Sequence, residues 1–81
     1  MRVRVRLFAS LREAVGTSEV ELDLPEGSTA ETAWQRLAEA HTPLAPRRVR
    51  LTAAINRRYA RFDTPLHDGD ELVFVPPVSG G

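Results

Sequence analysis

Two segments near the amino end of the chain alternate strictly between apolar and charged residues. Residues 2–8 read RVRVRLF and residues 18–24 read SEVELDL. Because successive side chains of a strand point to opposite faces, each pattern predicts a strand with one buried face. If the two strands pair antiparallel, three acids oppose three arginines across the ladder, and this charge pairing favours the register.

Helix signals appear in two other segments. Residues 10–16 (SLREAVG) predict a short helix or a turn, with Ser10 as the N-cap, Glu13 completing a capping box and Gly16 as the stop. Residues 25–41 have clear helical spacing of apolar residues, and there Ser28 and Glu31 form a predicted capping box. The TPLAP sequence that follows is expected to end this longer helix.

The carboxyl-terminal half of the chain predicts more strands. Residues 49–56 predict a strand that places Val49, Leu51, Ala53 and Ile55 on one inward face. A short edge strand is expected near Tyr59 or Phe62. Residues 72–75 (LVFV) are continuously apolar, which is typical of a strand that is covered on both faces and central in a sheet.

The order of these elements predicts an α+β fold of the ubiquitin-like β-grasp type. Such a fold has a mixed four- to five-stranded sheet with one main helix packed across one face. It places the last strand beside the first, parallel to it, and buries every apolar stripe described above. We expect residues 1–75 to form this domain and residues 76–81 to form an extended tail.

Composition excludes several classes of function. The 81 residues suffice for one small domain, and eleven basic residues balance eleven acidic ones, which argues against a nucleic-acid binder. The chain lacks cysteine, an apolar stretch long enough to cross a bilayer and the apolar core of a signal peptide. We therefore expect a cytoplasmic domain with no bound cofactor or metal and no membrane partner.

Candidate catalytic chemistry is sparse in the body of the chain. No phosphate-binding glycine motif is present, and no serine has the setting of a nucleophile. His41 and His67 are more typical of surface histidines near caps than of a metal pair. Asp68, Asp70 and Glu71 either bind a cation or form a polar turn, and the turn is the preferred interpretation. The body is therefore expected to be a scaffold without an independent active site.

A basic stretch lies between Glu39 and Asp63, where six arginines occur without an acidic residue. It indicates either a solvated face or a docking surface for an acidic partner or an anionic substrate. The arginines are Arg47, Arg48, Arg50, Arg57, Arg58 and Arg61.

The end of the chain, PPVSGG, carries the most specific signal. It consists of Pro76, Pro77, Val78, Ser79, Gly80 and Gly81. Two prolines favour a stiff, extended exit from the sheet, and six extended residues reach roughly 18 Å. Gly80 and Gly81 have no Cβ, so they fit a channel too narrow for other residues. If a partner adenylates the carboxylate of Gly81, sulfur can displace AMP and leave a thiocarboxylate, a strong nucleophile. A frayed terminus is the simpler alternative.

The same region carries a resemblance to a known family. In residues 51–81, the pattern N…Y…D-x-P-L-x-D-G-D-E followed by PPVSGG resembles the carboxyl-terminal half of molybdopterin synthase small subunits, known as MoaD. Residues 2–16 resemble the opening strand and first helix of that family, so the likeness spans nearly the whole chain.

This resemblance implies a mechanism that depends on partners. An E1-like, MoeB-like enzyme uses ATP to adenylate Gly81, and a sulfur donor such as a cysteine desulfurase or rhodanese supplies sulfur. The tail then enters a MoaE-like large subunit, which holds most of the catalytic groups, typically in a heterotetramer of two small and two large chains. There sulfur passes to cyclic pyranopterin monophosphate to form molybdopterin. Family contacts to these partners correspond to Phe8, Tyr59 and Val75, for which sheet packing is the alternative role.

Other functions remain open on the sequence. One alternative is a sulfur carrier of the same chemistry that delivers sulfur to tRNA thiolation, cysteine synthesis or thiamin synthesis. Thiamin carriers tend to be shorter and lack PPVSGG, which argues against that recipient. A ubiquitin-like modifier that is joined to lysines of target proteins needs the same fold and terminus. A protein-interaction domain with an inert tail is the last alternative.

Overall fold

One mixed sheet organises the part of the chain that the computed structural model describes, residues 1–77. Val78, Ser79, Gly80 and Gly81 lie outside the described residues, together with the predictions made for them. In chain order the elements are β1 (Arg2–Leu7), α1 (Ala9–Val15), β2 (Glu19–Asp23), α2 (Ala30–Ala40), a 3₁₀ segment (Thr42–Arg50), β3 (Thr52–Ile55), β4 (Arg58–Ala60) and β5 (Glu71–Val75).

Within these residues the sheet has five strands in the order β2-β1-β5-β3-β4. β5 pairs parallel with β1 and antiparallel with β3, and the outer pairs β1–β2 and β3–β4 are antiparallel. The predicted β-grasp fold is therefore confirmed, with its last strand in the centre beside the first. The predicted edge strand exists as β4 and contains Tyr59.

Opposite charges face each other across β1 and β2, as the alternation predicted. Arg2 lies opposite Asp23, and Arg4 lies opposite Glu21. The Arg2 Nε donates to Asp23 Oδ1 at 3.0 Å, whereas the Arg4 Nε contacts the diagonal carboxylate of Glu19 at 3.2 Å. The hydrogen bond from Arg2 and its charge lower the pKa of the Asp23 carboxyl, although both groups are exposed.

The hydrophobic core lies between one face of the sheet and the helices. The inward residues of β1 and β5 are buried against α1, α2 and the 3₁₀ segment. Trp34 of α2 meets Phe74 of β5 edge to face, with ring centroids 5.1 Å apart. No helix among residues 1–77 is both long and apolar enough to cross a membrane.

The start of α2 differs from the predicted capping box by one residue. Thr29, not Ser28, is the N-cap, and it exchanges hydrogen bonds with Thr32. Ser28 is buried, and its carbonyl accepts a hydrogen bond from the amide of Leu66 at 2.8 Å. This hydrogen bond holds Ser28 in the loop before the helix, so the helix begins one residue later than predicted. Glu31 is instead used in an ion pair with the 3₁₀ segment.

The predicted cap of α1 is wrong in a similar way. The helix begins at Ala9, and its N-cap Phe8 makes no side-chain cap bond, so Ser10 lies inside the first turn. The predicted end at Gly16 is confirmed, because this residue adopts the left-handed conformation with φ 92°. Its backbone amide donates to the carbonyl of Arg12 at 2.8 Å.

Residues 42–50 form a 3₁₀ helix where the sequence predicted a stop followed by a strand. Pro46 lies inside the segment, where a proline lacks the N–H donor and its ring clashes with the preceding turn of a regular α-helix. Short 3₁₀ turns are common as connectors between elements. Buried Leu44 anchors the segment in the core. Strand β3 consequently starts at Thr52, and Val49, predicted to face inward on that strand, is 86% exposed.

The apolar run LVFV is central in the sheet but is not covered on both faces. Leu72 and Phe74 are fully buried against the helices, whereas Val73 and Val75 are half-buried on the opposite face. The prediction of two covered faces is therefore wrong for residues 1–77. The uncovered side of β5 becomes the starting point of the candidate site.

Candidate partner-binding surface

The sheet face opposite the helices carries an apolar strip along its central and outer strands. We define the apolar strip as Phe8, Ala54, Tyr59, Val73 and Val75. The strand register places Ala54 directly between Val73 and Tyr59, so these three side chains form one row across β5, β3 and β4. Phe8 follows the end of β1, and Val75 ends the neighbouring β5.

The two aromatic residues of this strip, Phe8 and Tyr59, lie at its two ends and are exposed. Phe8 is 45% exposed and Tyr59 is 79% exposed, whereas Val73 and Val75 between them are half-buried. Three strand spacings separate β1 from β4, so the two aromatic positions lie about 14 Å apart across the sheet. A shallow apolar floor between exposed rings is typical of a surface that binds another protein.

Charged residues border the strip on the β1 side. Arg6 lies opposite Val73, and its guanidinium lies 5.7 Å from the centre of the Phe8 ring. The same side chain contacts the carboxylate of Glu71 at 3.8 Å. Beyond β1 the open face continues as the ion-pair ladder with β2. The open face therefore carries its apolar strip on β5, β3 and β4, and it is charged over β1 and β2 and at Glu71, the first residue of β5.

The strip leads directly to the root of the predicted tail. β5 ends at Val75, which pairs with Thr52, and the chain continues through half-buried Pro76 and exposed Pro77 without regular secondary structure. The predicted contact residues Phe8 and Tyr59 thus lie on the same face as Val75. The structure brings these positions together, while their contacts to partners stay predictions.

Two members of the apolar strip were missed in the sequence. Val73 was assigned to a covered face because LVFV has no polar residue to mark which side is outward. Ala54 was not proposed because alanine is too small to signal a contact surface. The sequence pattern does not show which side chains lie side by side on the sheet. The pairing of Ala54 with Val73 does, because paired residues of neighbouring strands lie on the same face.

The acidic turn before β5 is a structural turn, as preferred from the sequence. The Asp70 carboxylate is buried and accepts hydrogen bonds from the Asn56 side chain and the His67 amide, each within 2.8 Å. Asp68 accepts from the backbone amide of Arg2 at 2.7 Å. Across residues 1–77, no group of three or more histidine, aspartate or glutamate side chains is placed to hold a metal.

The basic stretch does not form one surface. Arg48 lies against α2, where its Nη2 donates to Glu31 Oε1 at 2.7 Å. Arg57 and Arg58 lie at the β3–β4 turn, which is at the opposite end of the sheet from Val75. The other three are distributed over the 3₁₀ segment and the loop after β4, and they are Arg47, Arg50 and Arg61.

The strand order and the single main helix define a ubiquitin-like β-grasp protein, whose open sheet face carries the apolar strip beside its last strand. The family model described as the ThiS family matches residues 5–81. The chain therefore belongs to the ThiS family.

A curated relative in Escherichia coli (strain K12), named molybdopterin synthase sulfur carrier subunit, is 43% identical over 98% of this chain and 99% of its own length. Among solved structures, SAMP1 from Haloferax volcanii is similar with a TM-score of 0.89 and 31% identity, and both chains are fully covered. The resemblance to molybdopterin synthase small subunits is thus confirmed.

A structure of the complex between subunits 1 and 2 of the Helicobacter pylori molybdopterin-converting factor contains another similar chain. The match covers all of both chains with a TM-score of 0.69 and 23% identity. At this identity the similarity concerns the fold alone.

Proposed function

We propose that this chain is a sulfur carrier in molybdenum cofactor biosynthesis and serves as the small subunit of a molybdopterin synthase. The single observation that carries the proposal is the 43% identity to a sulfur carrier subunit over nearly the full length of both chains. The apolar strip beside the tail root supports it, because a carrier without its own active site has to present its terminus to enzymes. The chain acts as a subunit of a sulfur-transfer enzyme.

The proposed chemistry takes place at Gly81. The terminal carboxylate attacks the α-phosphate of ATP on the activating enzyme, which releases pyrophosphate and forms an acyl adenylate. The outer sulfur of the donor's persulfide then displaces AMP to give an acyl disulfide. A thiol reductant cleaves that disulfide, which leaves a thiocarboxylate on Gly81. Two loaded chains in succession each donate one sulfur to cyclic pyranopterin monophosphate on the large subunit, which builds the two-sulfur dithiolene of molybdopterin. Hydrolysis returns each terminus to a carboxylate. The chain itself binds no cofactor in this scheme.

The proposed partners are three proteins. An E1-like adenylating enzyme activates the terminus, a cysteine desulfurase or rhodanese supplies sulfur, and a large subunit binds the loaded carrier. The apolar strip is the proposed contact surface for the partners that handle the tail, with Phe8, Tyr59 and Val75 as its contact residues. Pro76 and Pro77 follow this surface in the chain. Val78 and Ser79 come next in the sequence, and we propose that these four residues contact the partners while Gly80 and Gly81 enter the active site.

Intact-mass measurement tests the proposal. The chain is incubated with an E1-like adenylating enzyme, ATP and a sulfur donor, and a mass change equal to replacing one oxygen by sulfur is expected. Fragmentation should place the change on Gly81, and a chain without Gly81 is the matched control. Addition of the large subunit and cyclic pyranopterin monophosphate should then restore the original mass and yield molybdopterin. No mass change with an enzyme that loads another carrier contradicts the proposal.

A second function is favoured by one specific observation, the 31% identity to SAMP1, a small archaeal modifier protein. As a modifier, the chain would form an isopeptide bond between Gly81 and a lysine of a target protein. The discriminating measurement is a search for cellular proteins that carry this chain, compared with cells expressing the chain without Gly81. Conjugates that disappear with Gly81 support the modifier function, whereas thiolation without conjugates supports the carrier alone. Thiolated tRNA or thiamin that depends on the chain would assign its sulfur to another pathway.

A further inference from the structure

A second surface lies beside the tail root, on the helix side of the sheet. It is a groove of about 360 Å³ between α1, the 3₁₀ segment and the start of the tail. We call it the tail-root groove. Its apolar lining includes Leu11, Pro46, Val49, Leu51, Pro76 and Pro77. The prolines of the tail therefore form one wall of a groove whose other wall is the 3₁₀ segment.

The most exposed member of this lining is Val49. Of the large hydrophobic side chains in residues 1–77, it is the most exposed, at 86%. It contributes nothing to the core, which the 3₁₀ segment reaches through Leu44. A single exposed valine is ordinary on a protein surface, but this one continues into a groove that already has apolar walls.

Two arginines border the same groove, and no acidic residue lines it. Arg47 donates one hydrogen bond from Nη1 to the carbonyl of Ser10 at 3.3 Å, which leaves four of its five N–H donors available. Arg50 is exposed and forms no ion pair or side-chain hydrogen bond with another residue between 1 and 77. By contrast, Arg48 and Arg61 in the same basic stretch are both ion-paired. The groove thus combines apolar walls with two available positive charges.

We propose that the tail-root groove docks an acidic segment of the enzyme that activates the carboxyl terminus, with one apolar side chain of that segment inside the groove. The inference rests on the proposed function, because it requires an enzyme that acts on the tail. Activation requires the carboxylate to be held in line with a nucleotide phosphate, and such alignment depends on fixing the chain that carries it. An enzyme that contacts the apolar strip on one side of Pro76 and the groove on the other fixes the tail root from both faces of the sheet.

Charge reversal at Arg50 tests this docking site. The dissociation constant for the E1-like adenylating enzyme is measured by titration for the wild type, Arg50→Glu and Val49→Ser. We expect Arg50→Glu to weaken binding about 10-fold in low salt, and the effect should shrink when ionic strength rises well above 0.1 M, where the Debye length falls below about 10 Å. Val49→Ser should weaken binding less and independently of salt. Arg57→Glu, at the other end of the sheet, is the matched control and should bind like the wild type.

The outcomes separate this inference from the proposed function. If the wild type is thiolated and Arg50→Glu binds the activating enzyme unchanged, the groove assignment is wrong and the carrier function stands. A loss of affinity for the large subunit alone also overturns the assignment, as does a change confined to self-association of the chain in sedimentation. If the wild type neither binds the activating enzyme nor accepts sulfur, both conclusions fail. Both substitutions concern exposed side chains, and thermal unfolding checks that the fold is retained.

Discussion

The side-chain amide of Asn56 joins two turns that are distant in sequence. Its Nδ2 donates to Asp70 Oδ1 at 2.8 Å, and its Oδ1 accepts from the amide of Glu71 at 3.0 Å. Asn56 lies in the β3–β4 turn, and Asp70 ends the turn that leads into β5. The residues that carry the family resemblance therefore have a structural role: they fix the start of the strand whose other end leads to the tail.

Replacement of Asn56 should destabilise the fold through two separable effects. Asn56→Gly removes the side-chain bonds and leaves buried Asp70 short of a donor, so we expect a loss of about 2 kcal/mol in the free energy of unfolding. Asn56→Ala should cost about 1 kcal/mol more, because φ at this position is 51° and a Cβ disfavours that conformation. Urea unfolding measures both values.

Gln35→Ala serves as the control for these variants, because Gln35 is exposed on α2 and its loss should change stability by less than about 0.5 kcal/mol. A glycine variant as stable as the wild type would show that the amide bridge contributes nothing. If the alanine variant is no less stable than the glycine variant, the positive φ at residue 56 does not disfavour a Cβ as expected.

The regular alternation of β1 and β2 was sufficient to predict how these strands pair. The sequence did not predict correctly where the two helices start. Each face of β1 carries one kind of residue, so a shift of one residue would bury arginines, and the pattern specifies the register. The start of α2 depends on a hydrogen bond between Ser28 and Leu66, which are far apart in the sequence. Ser28 and Thr29 both suit an N-cap, and a tertiary contact decides between them.

The candidate site was predicted in part for a related reason. Tyr59 and Phe8 were proposed from the family resemblance, and the structure places both on the open face. Val73 and Val49 were missed because their environments depend on elements that the pattern did not show: the side of β5 left uncovered, and a 3₁₀ segment in place of a longer strand. An apolar residue in a continuous run carries no periodic signal of which face it occupies.

Arg48 is expected to tolerate lysine poorly, although the charge is kept. Its guanidinium stacks over Phe62 at 3.4 Å and donates from two nitrogens to Glu31, and the pair is about one-third exposed. Lysine cannot reproduce either the planar stacking or the forked hydrogen bonds. We expect Arg48→Lys to lower the free energy of unfolding by about 1 kcal/mol, measured by chemical denaturation.

Arg61→Lys is the matched control for that substitution. Arg61 also pairs with a carboxylate, Asp63, but its side chain is 85% exposed and the ion pair is screened by solvent. Its replacement should leave stability unchanged within error. Equal losses for the two variants would show that burial and stacking do not distinguish the sites.

The Arg2–Asp23 pair predicts a pH dependence of stability. The ion pair lowers the pKa of Asp23 in the folded chain, so its contribution is present above the pKa of the unfolded state. That contribution is lost as pH falls through the lowered pKa of the folded state. The stability difference between wild type and Asp23→Asn should thus be present at neutral pH and vanish in strong acid. Urea unfolding at several pH values measures it, with Glu26→Gln as control, and a difference that grows toward low pH would contradict the assignment.

Tyr59 should matter for partner binding and little for folding. Its side chain is 79% exposed at the end of the apolar strip, so Tyr59→Thr, which keeps a strand-forming residue, should change stability by less than about 0.5 kcal/mol. The same variant should weaken binding to the large subunit by about 10-fold or more, because exposed aromatic residues dominate such contacts. Titration calorimetry measures the affinity, and Tyr59→Phe should retain most of it. If Tyr59→Thr binds the large subunit with unchanged affinity, the apolar strip is not part of that interface.

Substitution of Gly81 separates activation from folding. Gly81→Val adds a branched side chain to the tip that is proposed to enter the activating enzyme, so adenylation and thiocarboxylation should be abolished. The melting temperature should not change, because Gly81 comes six residues after the end of β5 and the core is built from side chains between Val3 and Phe74. Intact mass and thermal unfolding measure the two effects on the same sample. Arg57→Gln, remote from the tail, should be thiolated normally. If Gly81→Val is thiocarboxylated normally, the activating enzyme has no channel that requires glycine, and the steric role of Gly80 and Gly81 is refuted.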